Sequence, residues 1–89
     1  MLPPTVHVSP SALFQLIEGE AVILDLASSS YFGLDNVGAR FWQLLQVDPD
    51  VAAACKRLLR EYDVEAARLE LDIGRLIQQL AQAGLVTLG

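Results

Sequence analysis

The chain has 89 residues, with six Lys or Arg against eleven Asp or Glu and a formal net charge of −5. That length makes one domain, and 53% hydrophobic against 19% charged residues excludes a disordered chain. The acidity opposes nucleic-acid binding, which draws its affinity from Lys and Arg neutralising phosphates; the one basic cluster, Lys56, Arg57 and Arg60, reads as a solvated helix face.

Residues 1–10 carry Pro3, Pro4 and Pro10, which fix φ and remove donors, so an irregular lead-in is expected there, with room for a short edge pairing at Val6-His7-Val8. The folded domain is expected over 11–89. No basic region or long apolar run marks the N-terminus as a signal peptide, and no stretch has the length of a membrane span. A cytoplasmic location and no membrane association are the expectations. The single cysteine, Cys55, has no partner for an internal disulfide and sits in an Ala-rich stretch where a small buried thiol is expected.

Two apolar runs, Ala12 to Ile17 and Ala21 to Leu26, flank Glu18-Gly19-Glu20 and signal a hairpin. After a second turn at Ala27 to Ser30, Tyr31-Phe32-Gly33-Leu34 reads as a third strand. A three-stranded meander is stable only with cover on one face, and helices supply it. Asp35 and Asn36 are good N-caps for a helix bearing Phe41, Leu44 and Leu45 at helical spacing. Gly38, near its start, either permits a close approach to the sheet or is merely tolerated. Trp42, beside Phe41, is expected to pack under the second helix. Asp48-Pro49 reads as an N-cap with Pro at the first helical position, opening a helix to about Tyr62 with Val51, Cys55, Leu58 and Leu59 on one stripe. Asp63 is expected to cap the third helix from near Val64, along which Leu69, Ile73, Leu76, Ile77 and Leu80 form one apolar face. Gly84 ends it, and Leu85 to Leu88 form a short returning strand. Three strands and then three helices make an α+β fold with the helices on one side of an antiparallel sheet.

Catalytic chemistry is hard to find. The isolated glycines cradle no phosphate. The only histidine, His7, falls in the lead-in and leaves no nucleophile a nearby base, and one His with one Cys cannot assemble a typical structural zinc site. Asp48, Asp50, Asp63 and Glu65 lie at helix starts, where the helix dipole explains them. The expectation is a binding module without enzymatic activity, metal or cofactor.

The segment from Gly19 to Leu26, continuing through Tyr31-Phe32-Gly33-Leu34-Asp35-Asn36-Val37-Gly38-Ala39-Arg40-Phe41-Trp42, resembles the PqqD-like family, the RiPP recognition elements, and most of all its stand-alone lasso-peptide members. Tyr62-Asp63-Val64 and the ending Leu80 to Val86 are similar too, so the likeness covers about residues 11–88. Asp35-Asn36 stands where Asn-Pro or Asn-Thr is usual, a departure that touches capping. The resemblance implies a winged helix-turn-helix-like fold that captures the leader of a ribosomally made precursor peptide as an added strand beside the third. It further implies a separate leader peptidase of the cysteine-protease type and a macrocycle-forming ATP-dependent enzyme as partners.

The peptide-binding residues implied are Tyr31, Phe32, Gly33 and Leu34 on the third strand, and Arg68, Leu69, Asp72, Ile73, Arg75 and Leu76 on the last helix. Tyr31 and Phe32 point to opposite faces, so one fills the core and the other is free to line a groove. Asp72 and Arg75, with Arg68 and Gln79 one turn to either side, read at least as well as a solvated helix face. The competing functions are a winged-helix nucleic-acid binder, which the acidic balance of the last helix opposes, and a regulatory subunit that touches no leader.

Overall fold

The computed structural model describes residues 2–89, which form β1 (Val6–Val8), β2 (Ala12–Ile17), β3 (Glu20–Asp25), β4 (Ser30–Leu34), α1 (Asn36–Val47), α2 (Val51–Glu61), α3 (Ala66–Gln82) and β5 (Val86–Leu88). Strands β2, β3 and β4 make the expected antiparallel meander in that order, followed by the three helices. Its first turn has φ of 52° at Glu18 and 83° at Gly19, the two positive values that a two-residue hairpin turn needs to match the strand twist. In the second turn the Asp25 carboxylate accepts from the Ala27 N–H at 3.1 Å and the Ser28 hydroxyl at 2.8 Å, a local bond that holds the chain as it reverses.

The register places Phe14, Ile23 and Phe32 in one row and Leu16, Ala21 and Leu34 in the next, on the face that meets the helices. Ile23 is fully buried there, and Phe14, Phe32 and Leu34 pack against the core at its edge. Beneath them lie Phe41, Trp42, Leu58, Ile73, Ile77 and Leu80. Trp42 packs as expected, and its indole N–H finds no partner among the described residues. An unpaired buried donor costs about 1–3 kcal/mol, whereas burying ~150 Å² or more of indole contributes about 4 kcal/mol, so packing wins.

The lead-in is more ordered than its prolines imply, and the edge pairing left open at Val6-His7-Val8 is present. Val6 to Val8 pair with Val86 to Leu88 in a second, two-stranded sheet. On the other side of β1 the Val6 N–H donates to the Pro49 carbonyl at 3.0 Å, and the Val51 N–H donates to the Pro4 carbonyl at 3.1 Å. Val6 is wholly buried, and His7 sits in a strand rather than a loose tail. Pro3 and Pro4 are compatible with this because a fixed φ near −65° suits extended chain.

That clamp also moves the start of α2. Its N-cap is Asp50, whose carboxylate accepts from the Ala53 N–H at 3.2 Å, and not Asp48. Thr5 bridges Asp50 in the manner of a strand, which keeps residues 49–51 extended until the helix can begin. Asp48 instead closes α1, its N–H donating to the Leu44 carbonyl at 3.0 Å. Asp63 does not cap α3 either: the chain turns with the Val64 N–H on the Tyr62 carbonyl at 3.1 Å, and the helix starts from Glu65 without a side-chain cap. Gly84 ends α3 with φ of 76°, the left-handed conformation that glycine adopts without a Cβ penalty.

On α2 the buried stripe is Val51, Ala54 and Leu58, with Cys55 half-buried on its flank and Leu59 exposed. Spacings of three and then four keep residues on one face, and Cys55 lies one position off that line. Burial, followed by the charge of Glu70, raises its thiol above the ordinary value, which keeps it protonated and a poor nucleophile. Helices α1 and α2 are tied on the surface by Glu61, which accepts from Arg40 at 2.7 and 2.9 Å and from Arg57 at 2.8 Å.

Candidate functional site

β4 is bonded to β3 along one edge only, and among the described residues no strand or loop pairs with its other edge. Across from that edge runs α3. Between them lies a groove of about 420 Å³. Phe32, Gly33 and Leu34 form one wall, and Arg68, Leu69, Asp72, Ile73, Arg75, Leu76 and Gln79 of α3 form the other. Asp35, Val37 and Gly38 close one end from the first turn of α1, with Val64 entering from the turn before α3.

Gly38 sets how deep the groove is. A Cβ on it would stand 3.0 Å from an Asp35 carboxylate oxygen, 3.3 Å from Leu76 Cδ2 and 3.4 Å from Leu34 Cδ2. The bare backbone lets α1 come against both leucines, while Asp35 caps the helix by accepting from the Gly38 N–H at 2.7 Å. The glycine therefore permits close approach, one of the two readings left open by the sequence.

The walls are apolar at depth and charged at the rim. Leu69 and Ile73 are buried and serve core and groove at once, whereas Leu76 is half-buried and turned toward the opening. At the rim Arg68 pairs with Asp72 one turn on at 3.3 Å, with both side chains at least half exposed, a geometry worth little in water. Arg75 makes no ion pair among the described residues. Asp35 and Asp72 balance Arg68 and Arg75 in formal charge, so the trough selects by shape and apolar contact more than by net field.

Of the residues singled out on the sequence, the groove gathers Phe32, Gly33, Leu34, Arg68, Leu69, Asp72, Ile73, Arg75 and Leu76. Tyr31 is not among them. It is 75% exposed on the opposite face of the sheet, across from Leu24, so it neither fills the core nor lines the groove. Asp35, Val37, Gly38 and Val64 belong to the lining and were not anticipated; a glycine in the first turn of a helix, next to a strand end, was the one available sign. Among the described residues no group of three or more His, Cys, Asp or Glu is gathered that could hold a metal ion, and no helix is long and apolar enough to cross a membrane.

An unpaired strand edge beside an apolar trough defines a strand-accepting domain, in which main-chain bonds hold an extended peptide and pockets take every second side chain. The chain belongs to the PqqD family: the profile of coenzyme PQQ synthesis protein D matches residues 20–86. A solved structure of TbiB1 in complex with the TbiA(beta) leader peptide superposes with a TM-score of 0.80 at 31% sequence identity, over 90% of this chain and 93% of that one. A lasso peptide synthetase B1 complexed with the leader peptide gives a TM-score of 0.80 at 26% identity, over 93% of this chain and 98% of that one. No curated protein sequence matches this chain.

Proposed function

We propose that this domain binds the leader segment of a ribosomally made precursor peptide, of the lasso type, and presents it to a separate leader peptidase of the cysteine-protease class. A macrocycle-forming ATP-dependent enzyme would act on the same precursor. The leader docks as an extended strand antiparallel to β4 along Phe32–Leu34, and its inward side chains rest on Leu69, Ile73 and Leu76. The carrying observation is the open β4 edge facing the groove against α3, in a chain that superposes over nine-tenths of its length on a leader-peptide complex. The domain's own part is to bind and position; cleavage belongs to the peptidase. Nucleic acid is a poor alternative, because α3 sets Arg68 and Arg75 against Glu70 and Asp72 with Glu65 at its cap, leaving no basic recognition face.

Backbone pairing is the property to test. A fluorescent leader peptide should bind saturably in an anisotropy titration. Leader peptides N-methylated at alternate positions should split into two sets, because only every second amide of an added strand faces β4. Methylation in one register should abolish binding, and in the other it should be tolerated. A leader that fails to bind, or one indifferent to the register of methylation, removes strand addition as the mode.

A further inference from the structure

The three-stranded sheet has a second open edge. Among the described residues β2, like β4, is bonded to β3 alone, and its outer edge runs six residues from Ala12 to Ile17. The two-residue turn at Glu18 and Gly19 makes Ile17 and Glu20 a hydrogen-bonded pair, and such pairs then fall on every second residue. Leu13, Gln15 and Ile17 therefore turn their main-chain groups to β3, and the Leu26 N–H on the Ser11 carbonyl at 2.9 Å continues the series. Phe14 and Leu16 turn theirs outward, as Ala12 does its carbonyl. The Ala12 N–H is taken by the Ser9 carbonyl at 3.1 Å.

This edge lacks the usual guards. Edge strands are kept single by Lys, Pro, bulges or shortness. Ala12-Leu13-Phe14-Gln15-Leu16-Ile17 has no charge and no proline, and its pairing with β3 runs without a bulge. Leu13 is 43% exposed, Leu16 69% and Ile17 48%, so the strand is apolar on both faces. Uncharged six-residue β-formers are the segments that pair with their own kind. No β2 residue lines the groove against α3, and what fits this edge is another flat edge. Charge and size say whose. The chain carries a net charge of −5, yet no Asp, Glu, Lys or Arg precedes Glu18. Two copies can therefore meet along β2 without setting one carboxylate against another. With Phe14 opposite Phe14 of the second copy, Leu16 falls opposite Ala12, large against small, and Glu18 lies beyond the paired stretch. Phe14 then exchanges both main-chain bonds with its counterpart, and each Leu16 N–H meets an outward Ala12 carbonyl.

We propose that β2 pairs antiparallel with β2 of a second copy across a two-fold axis, joining two meanders into one six-stranded sheet with an open β4 at each end. The contact is isologous and closes on itself, so it gives a dimer and no fibre. Both grooves stay free, and the pairing holds whatever occupies them.

Sedimentation of the full chain should show monomer giving way to dimer as concentration rises through the micromolar range, as expected of a contact burying less than about 1,200 Å². Added salt should tighten the dimer by screening the like charges of the two copies. Hydrogen exchange at single amides reads the register. Phe14 and Leu16 should exchange freely in the dilute chain and slow on dimerisation, while Leu13 and Gln15 stay protected throughout. Leu16→Pro deletes an outward N–H that β3 does not use, and Leu16→Lys places a charge at an exposed edge position. Each should weaken dimerisation by about tenfold or more with the dichroism spectrum unchanged. A chain that stays monomeric at every concentration overturns the proposal and leaves the edge to a different protein. A dimer indifferent to both variants overturns it too, as does growth past the dimer. The exchange pattern of the unaltered chain decides if neither variant folds: a dimer with free Phe14 and Leu16 amides is joined elsewhere.

Discussion

β1 and β4 are both short strands at the margin of the helical layer, yet their edges have opposite fates. β1 is bonded on both sides, to β5 and to residues 49–51. Among the described residues β4 is bonded to β3 alone. Closing β1 brings Val6 into the core with Val86 and Val51, and a small domain needs that burial because little of its surface is removed from water otherwise. Nothing in the core depends on closing β4. An exposed edge invites strand pairing, and this one lies beside the groove against α3. On the proposed reading the closed strand serves stability and the open strand binding, so the two functions are separable by mutation.

The largest effect should come from breaking the closed side. Val6→Asp places a charge where no solvent reaches and no partner stands, which costs several kcal/mol against a total stability of roughly 5–15 kcal/mol for a domain. Loss of the helical circular-dichroism signal, or a urea midpoint near zero, is expected. A near-native midpoint would show that β1 is dispensable. On the open side, Gly33→Pro removes an N–H and fixes φ on the strand proposed to accept the leader. It should lower leader affinity by roughly tenfold or more while the dichroism spectrum stays folded. Full affinity in a folded variant would move the site off β4.

Two neighbouring residues of α3 sharpen the same contrast. Ile77 is 2% exposed in the core, so Ile77→Ala should cost about 2–5 kcal/mol of stability and leave leader affinity alone in the folded fraction. Leu76 is half-buried over the groove, so Leu76→Ala should cost only about 1 kcal/mol while weakening leader binding by about tenfold. Equal effects of both variants on stability and on binding would mean that α3 has no distinct groove face. Smaller again is Arg75→Glu, which should change affinity only when a charged leader residue lies opposite, by an amount that shrinks as salt rises.

That pair also marks where the sequence stopped being legible. Leu69, Ile73, Leu76, Ile77 and Leu80 recur at three- and four-residue steps, and the period alone puts all five on one face. It cannot say that Leu76 faces a groove, because the opening is made by β4 and Gly38 from elsewhere in the chain. The strands were readable because alternation and turn residues are local signals. For β1 only room for a short pairing was readable, not its partners, since these lie at Pro49 and at the far end of the chain and the prolines around it argue for irregularity. The cap of α2 failed for the same reason: Asp48 and Asp50 are the same residue type two positions apart, and the choice between them is made by Thr5 and Val6. Alternation separated Tyr31 from Phe32 without telling which turns inward. The groove residues came from family resemblance; by spacing and polarity Arg68, Asp72 and Arg75 are an ordinary solvated face.

The smallest expected effect lies far from the groove and separates stability from binding by pH. Hydrogen bonds from Arg40, then from Arg57, hold the Glu61 carboxyl down at about 2 from an ordinary value of 4.5. A folded value below the unfolded one means that the ionised form favours the fold, so the contribution is complete above the unfolded value and disappears as pH falls through the folded one. The pair is exposed and its worth is modest. In urea titrations the stability gap between the wild-type chain and Glu61→Gln should hold steady from pH 7 to about 5 and close between about pH 4.5 and 2. Leader affinity should not differ between the two chains at any pH where both are folded, because Glu61 ties α1 to α2 and touches neither β4 nor α3 of the groove. A gap that persists below about pH 2 would assign the effect to packing of the side chain instead of its charge.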